Sequence, residues 1–195
     1  MWSDHRFESP LVGVALSAEP AGAAAACTLG ERPFLELTLV RGDGTSAAFR
    51  DAIRAATGAE LPLAPNTVAA SADYQVFWLG PDEWLLQSAR PHVPDMERTL
   101  RAALAGQFAA VTDVSSGYTV LRLAGSKARA VLQKGCPLDL HPRVFRSGQC
   151  AQSHYFKADI LLYPVADDAW ELVVRRSFAD YAARILTDAM AEYLA

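Results

Sequence analysis

Two stretches of this chain carry the same order of signals, and that order limits the fold more than any other feature. In the first, a strand pattern from Phe34 to Val40 ends in the turn Arg41-Gly42-Asp43-Gly44; Ser46 then opens a helix, which Gly58 stops ahead of Leu61-Pro62-Leu63. In the second, a strand from Tyr118 to Leu123 ends in Ala124-Gly125, Ser126 opens a helix, and Gly135 stops it ahead of Cys136-Pro137-Leu138. Serine at a helix start satisfies an orphan backbone N–H, and glycine at a helix end enters the left-handed conformation that a Cβ disfavours. A repeated strand, turn and helix predicts duplication of one structural unit.

The rest of the chain extends both copies. Phe49, Ile53 and Ala56 share one face of the first helix. Tyr74 to Leu79 and Trp84 to Gln87 form a hairpin about Gly80-Pro81-Asp82, a helix runs from Pro94 to Ala105, and Phe108 to Val114 closes a β-α-β-β-α-β order. The second copy continues with strands at Gln149 to Phe156, Asp159 to Val165 and Trp170 to Arg175. Ser177 with Asp180 reads as a capping box for a last helix to about Tyr193, whose Phe178, Tyr181, Ala182, Ile185, Leu186, Ala189 and Met190 make an apolar stripe. This copy lacks a sixth strand, so its edge is to be closed by the N-terminal segment or by another chain. The expectation is an α+β fold of two ferredoxin-like lobes packed as one unit: an arm at 1–32, a first lobe at 33–115 and a second at 116–195. Trp78, Trp84 and Trp170 are expected in the core, and Trp2, in the arm, as an interface anchor.

Composition narrows the function classes. Half of the 195 residues are hydrophobic and the net charge is −4, while no apolar run approaches the ~18 residues of a membrane span. That predicts a soluble chain with no membrane contact and no global charge drawing it to nucleic acid. Leu11 to Ala18 looks like a signal-peptide core, but Asp4 and Glu8 outweigh Arg6 in what should be a positive leader. With three cysteines and no C-x-x-C, the reading is cytoplasmic. Cys136, His141, Cys150 and His154 have a zinc-like spacing. On a strand, however, Cys150 and His154 lie ~13 Å apart, too far for one ion, so no metal site is expected.

No G-x-G-x-x-G follows a strand, and there is no P-loop and no G-x-S-x-G, so nothing points to a nucleotide or hydrolase site of the chain's own. The loop after the second copy's helix is dense in ionisable groups, with Lys134, Asp139, His141, Arg143 and Arg146, and such loops are where function concentrates.

LGPDEWLL at Leu79, DVSSGYTVLRLAG at Asp113, KGCPLDLHPRVF at Lys134, KADILLY at Lys157 and VVRRSFADY at Val173 carry a resemblance. Together they resemble the gamma subunit of heterotetrameric sarcosine oxidase, itself similar to the folate-dependent aminomethyltransferases of the glycine cleavage system. The resemblance implies an accessory subunit of a flavoenzyme that oxidatively demethylates sarcosine or a similar N-methyl amine, with tetrahydrofolate as one-carbon acceptor. Its role would be assembly rather than catalysis. FAD, FMN, NAD and tetrahydrofolate would lie on partner subunits, which are larger alpha and beta chains and a small delta chain. The alternative is a free-standing folate-binding protein or aminomethyltransferase-like enzyme. KADILLY resembles the segment that places a carboxylate beside folate in those enzymes, which makes Asp159 the one catalytic candidate. Here Ala158 replaces the first acidic residue and Lys157 precedes it, which favours a structural ion pair. Lys134, Asp139, His141, Arg143, Arg146, Arg175 and Arg176 are then the interface candidates, and the arm is expected to gain its order against a partner. Deleting residues 1–30 should accordingly weaken assembly while the chain still folds.

Overall fold

The computed structural model describes residues 8–14, 16, 26–91 and 95–193; Trp2, Pro94 and the Ala-rich stretch 21–25 lie outside them. Strand β1 (Thr28–Arg32) lies in one sheet, and the chain then crosses through Pro33-Phe34 into a second. There β2 (Leu35–Arg41), β3 (Val68–Ala70), β4 (Tyr74–Gly80), β5 (Glu83–Pro91) and β6 (Ala110–Asp113) run in the antiparallel order β3-β4-β5-β2-β6. Helices α1 (Ala47–Thr57) and α2 (Met96–Ala103) cover its outer face. The chain returns to the first sheet, where β7 (Tyr118–Ala124), β8 (Ala151–Tyr155), β9 (Ala158–Ala166) and β10 (Ala169–Arg175) complete the order β1-β7-β10-β9-β8. Helices α3 (Ala128–Gln133) and α4 (Ala179–Met190) lie on that sheet's outer face.

Place for place, β6-β2-β5-β4-β3 corresponds to β1-β7-β10-β9-β8. Each sheet has the ferredoxin-like order plus one extra edge strand, so the expected α+β architecture is the observed one. The position that β6 fills in the first sheet is filled in the second by β1, in register from Thr28 opposite Ala124 to Arg32 opposite Val120. The missing strand is thus supplied by the end of the N-terminal arm.

Strand alternation assembles the layers. In β2, Leu35, Leu37 and Leu39 face the other sheet while Val40 faces α1 and α2; in β10, Val173 faces the other sheet while Trp170, Leu172 and Val174 face α3 and α4. With both faces covered, such strands read as near-continuous apolar runs. The inner faces meet around Phe77 and Tyr163, whose rings are 4.6 Å apart. At one lateral edge, Val68 N donates to Gly148 O and Cys150 N to Asn66 O, joining the sheets beside β3 and β8.

Caps follow the sequence in the first lobe and depart from it in the second. Ser46 Oγ accepts from Phe49 N, and Gly58 ends α1 at φ 70°. Ser126, by contrast, does not cap α3; Lys127 holds that position without a side-chain bond. Gly135 is not left-handed either. A Cβ there would come within 2.4 Å of the Phe156 ring, so close approach, not φ, requires glycine. Nor do Ser177 and Asp180 form a capping box, because the 3-10 turn Arg176–Phe178 leads into α4 and Asp180 pairs with Arg184 one turn on. The short strand β3 had no period-two signal of its own.

The described part of the arm packs on its own chain. Leu11 is buried in the core under α4, with Val14 and Leu16 against it, and Arg176 Nη2 donates to Glu8 O at 2.8 Å. Order gained only against another subunit therefore does not describe residues 8–14.

Candidate functional site

The layer between the sheets changes character along its length. At one end Glu171, fully buried, accepts two bonds from Arg32 Nη1 at 2.8 and 2.9 Å and a third from the Tyr163 hydroxyl. Gln87 Nε2 donates to the same hydroxyl at 2.8 Å from the opposite sheet, and Arg32 Nη2 reaches the Ala89 carbonyl there. Arg122 lies 3.4 Å from the carboxylate. Burial, then the neighbouring Glu171, pushes the Tyr163 phenol well above its ordinary range, so it stays protonated and donates. This cluster ties β1 to both sheets. The sequence marked it only by Glu171, a lone charge inside Ala169 to Val174.

The middle of the layer is apolar, and the far end opens. There Leu39, Leu79, Leu85, Val114, Leu161 and Val173 line a slot of about 440 Å³, with Tyr118, Asp159 and Arg175 at its mouth. Gln152 Nε2 braces one side by donating to Leu79 O at 2.8 Å. Asp159 and Arg175 are both exposed. Among the described residues Asp159 makes no ion pair, so the expected pair with Lys157 does not form. Lys157 stays in the turn between β8 and β9, and two exposed charges gain too little in water to hold each other. The Arg175 guanidinium instead lies 5.6 Å from the centre of the Tyr118 ring.

The charged loop is pre-formed. Leu140 and Phe145 are buried, with the Phe145 ring stacked 5.7 Å from Trp170. Asp139 Oδ1 accepts from His141 N at 2.9 Å, His141 Nδ1 accepts from Arg143 N at 3.2 Å, and Gln149 Oε1 accepts from Arg146 N at 2.9 Å. Asp139 and His141 therefore shape the turn, and Arg143, Val144 and Arg146 are displayed from it. Lys134 plays another part. Its Nζ donates to Ala189 O and pairs with Glu192 at 2.6 Å, pinning the end of α3 to the C-terminal turn. Arg176 holds the arm and Arg175 belongs to the slot, so the seven interface candidates fall into separate places rather than one patch.

The zinc-spaced residues are also apart in their bonding. Cys136 Sγ lies 3.7 Å from Ser153 Oγ, and Cys150 Sγ donates to Thr67 O and Trp78 O. Burial pushes the Cys150 thiol up to about 12, which keeps it neutral and a poor ligand.

Two glycines, Gly42 and Gly44, lie in the turn ahead of α1. A Cβ on Gly42 would fall 2.3 Å from the Phe49 ring, and one on Gly44 2.9 Å from Trp84. The chain's own aromatic rings pack against both glycines.

Comparison with known proteins agrees with this architecture. Residues 41–192 match the family described as "Sarcosine oxidase, gamma subunit family". The chain is 37% identical over 193 residues to the sarcosine oxidase subunit gamma of Corynebacterium sp. strain U-96, covering 96% of this chain and 91% of that one. It is 34% identical over 186 residues to that of an Arthrobacter species, covering 95% and 90%. Among solved structures, heterotetrameric sarcosine oxidase from Corynebacterium sp. U-96 contains a chain that superposes with a TM-score of 0.87 at 34% identity, with 96% of each covered. The glycine cleavage aminomethyltransferase T of Bartonella henselae superposes at 0.62 and 15% identity, covering 83% of this chain and 45% of that one, a likeness of fold. Matched along most of its length in sequence and in structure, the chain belongs to the sarcosine oxidase gamma subunit family.

Proposed function

We propose that this chain is the accessory gamma subunit of a cytoplasmic heterotetrameric sarcosine oxidase and that its role is assembly. The observation that carries the reading is the match over 96% of both chains to a subunit of such a heterotetramer. Its partners are larger alpha and beta chains and a small delta chain. FAD, FMN, NAD and tetrahydrofolate lie on those partners, where they supply redox and one-carbon chemistry to sarcosine or a similar N-methyl amine. Two features of this chain support the division of labour: aromatic side chains pack against its glycine turns, and its exposed charged loop is held by turn bonds and by buried Leu140 and Phe145. The loop residues Arg143 and Arg146, with Asp139 and His141 shaping the turn, are the contact surface. Lys134, Arg175 and Arg176 stand outside it. The lobe limits near residues 33 and 115 mark the two crossings between sheets.

The test is co-expression with the other products of the same operon. A tagged chain is expected to retain three partner chains through gel filtration, and alone to be colourless and inert toward sarcosine. Elution of the chain by itself from a competent mixture, or a stoichiometric flavin on the isolated chain, sinks the reading.

A further inference from the structure

We propose that the slot between the sheets binds an α-amino acid with a large apolar side chain, its ammonium on Asp159 and its carboxylate on Arg175. This site is independent of the assembly role. The slot's volume of about 440 Å³ falls in the ~300–1,000 Å³ range of small-molecule sites. Its lining is aliphatic apart from Tyr118, Gln152, Ser153, Asp159 and Arg175, and of these Asp159 and Arg175 carry the charges.

Strand register places the two charges. Val174 pairs with Ile160, so Arg175 stands across from Asp159, on the face that carries Leu161 and Val173 into the inter-sheet core. Directly opposed residues have Cβ atoms ~4.5–5.5 Å apart. Both charges are exposed and gain little by pairing in water, so no ion pair joins them, and the guanidinium lies over Tyr118, leaving both groups open to a ligand. A carboxylate and a guanidinium held apart at the mouth of an apolar slot complement a ligand with both charges close together on one end. A ligand with one charge engages only one of the two groups and forgoes the other charge-assisted contact. The guanidinium takes a carboxylate through two parallel bonds, and the carboxylate takes an ammonium. The side chain fills the slot, so leucine and phenylalanine suit it and glycine does not.

Isothermal titration of the full-length chain, alone and in complex with its partner subunits, tests the assignment. The probes are L-leucine and L-phenylalanine beside isoamylamine and 4-methylpentanoate, which each keep one charge of leucine. Both amino acids are expected to bind both forms of the protein, with each one-charge analogue at least ~10-fold weaker. Asp159→Asn and Arg175→Gln should each weaken leucine binding by about tenfold with an unchanged thermal midpoint. No binding up to about 10 mM overturns the proposal. So does equal binding of the analogues, which would mean apolar filling alone, or binding that vanishes in the complex, which would mean a partner chain occupies the slot.

Discussion

Arg32 and Glu171 form the pair on which most depends at the scale of single residues. Glu171 has no access to water, whereas Arg32 is about a quarter exposed, so removing the arginine strands a buried carboxylate with only Arg122 and Tyr163 nearby. Breaking a buried pair costs ~3–5 kcal/mol, and the partial exposure of Arg32 puts Arg32→Ala at the low end, about 3 kcal/mol. Urea denaturation followed by tryptophan fluorescence reads that loss. Glu36 acts in the opposite sense. Its Oε1 accepts from Met96 N and starts α2, but burial, with Asp113 and Asp95 adding to it, raises its carboxyl above the ordinary 4.5. A carboxyl with a raised folded-state pKa binds more protons folded than unfolded, so the folded state loses ground as pH climbs past about 4.5. Glu36→Gln keeps the acceptor and cannot ionise. It is expected to raise the thermal midpoint at pH 7, with the gain shrinking toward zero as pH falls to about 4; an unchanged gap across that range would remove the carboxyl as the cause.

The element that defines this molecule is β1. It contributes Leu29 and, just before it, Cys27 to the core, pairs along its own whole length with Val120 to Ala124 of β7, and carries Arg32 into the buried cluster. Deleting residues 1–30 removes Cys27 and Leu29 from the core and three of the five paired residues of β1, which argues against the expectation that this deletion would spare folding. Near-ultraviolet circular dichroism of that deletion should lose its fixed aromatic signal. The loop after α3 is the opposite case: its shape comes from Leu140, Phe145 and short-range turn bonds, in which its arginines take part through backbone N–H groups and not through their side chains. Asp139→Ala with Arg143→Ala should leave the free energy of unfolding within about 1 kcal/mol of the parent, read by urea denaturation.

At the scale of the whole molecule, the same loop pair tests assembly. Charge-assisted contacts that lose water at an interface cost ~2–5 kcal/mol when one side is removed, while rim charges cost little. In a pull-down with the partner chains, the double variant is expected to weaken retention by at least about tenfold. Full retention would place the contact surface elsewhere. The two stacked lobes also explain why one chain presents separate features: the stitched edge beside β3 and β8, the charged loop on the helix side, and the slot where the sheets part.

Local chemistry decided what was legible in the sequence alone. Strands β2, β4, β5, β6, β7, β8, β9 and β10 and the helices were readable because their apolar runs, periods and turn residues are determined within a few neighbours. Ser46 and Gly58 were readable for the same reason, and Lys134 to Arg146 stood out by charge density. Tertiary structure decided the rest, because it rests on contacts between residues far apart in the chain. That β1 completes the second sheet depends on pairing with β7 some ninety residues on. That Gly135 answers to Phe156, that Lys134 turns inward to Glu192, and that Asp159 faces a slot beside Arg175 instead of pairing with Lys157 are all consequences of packing. The buried Arg32, Glu171, Tyr163 and Gln87 cluster draws one bond partner from each of four strands, a juxtaposition no local pattern encodes.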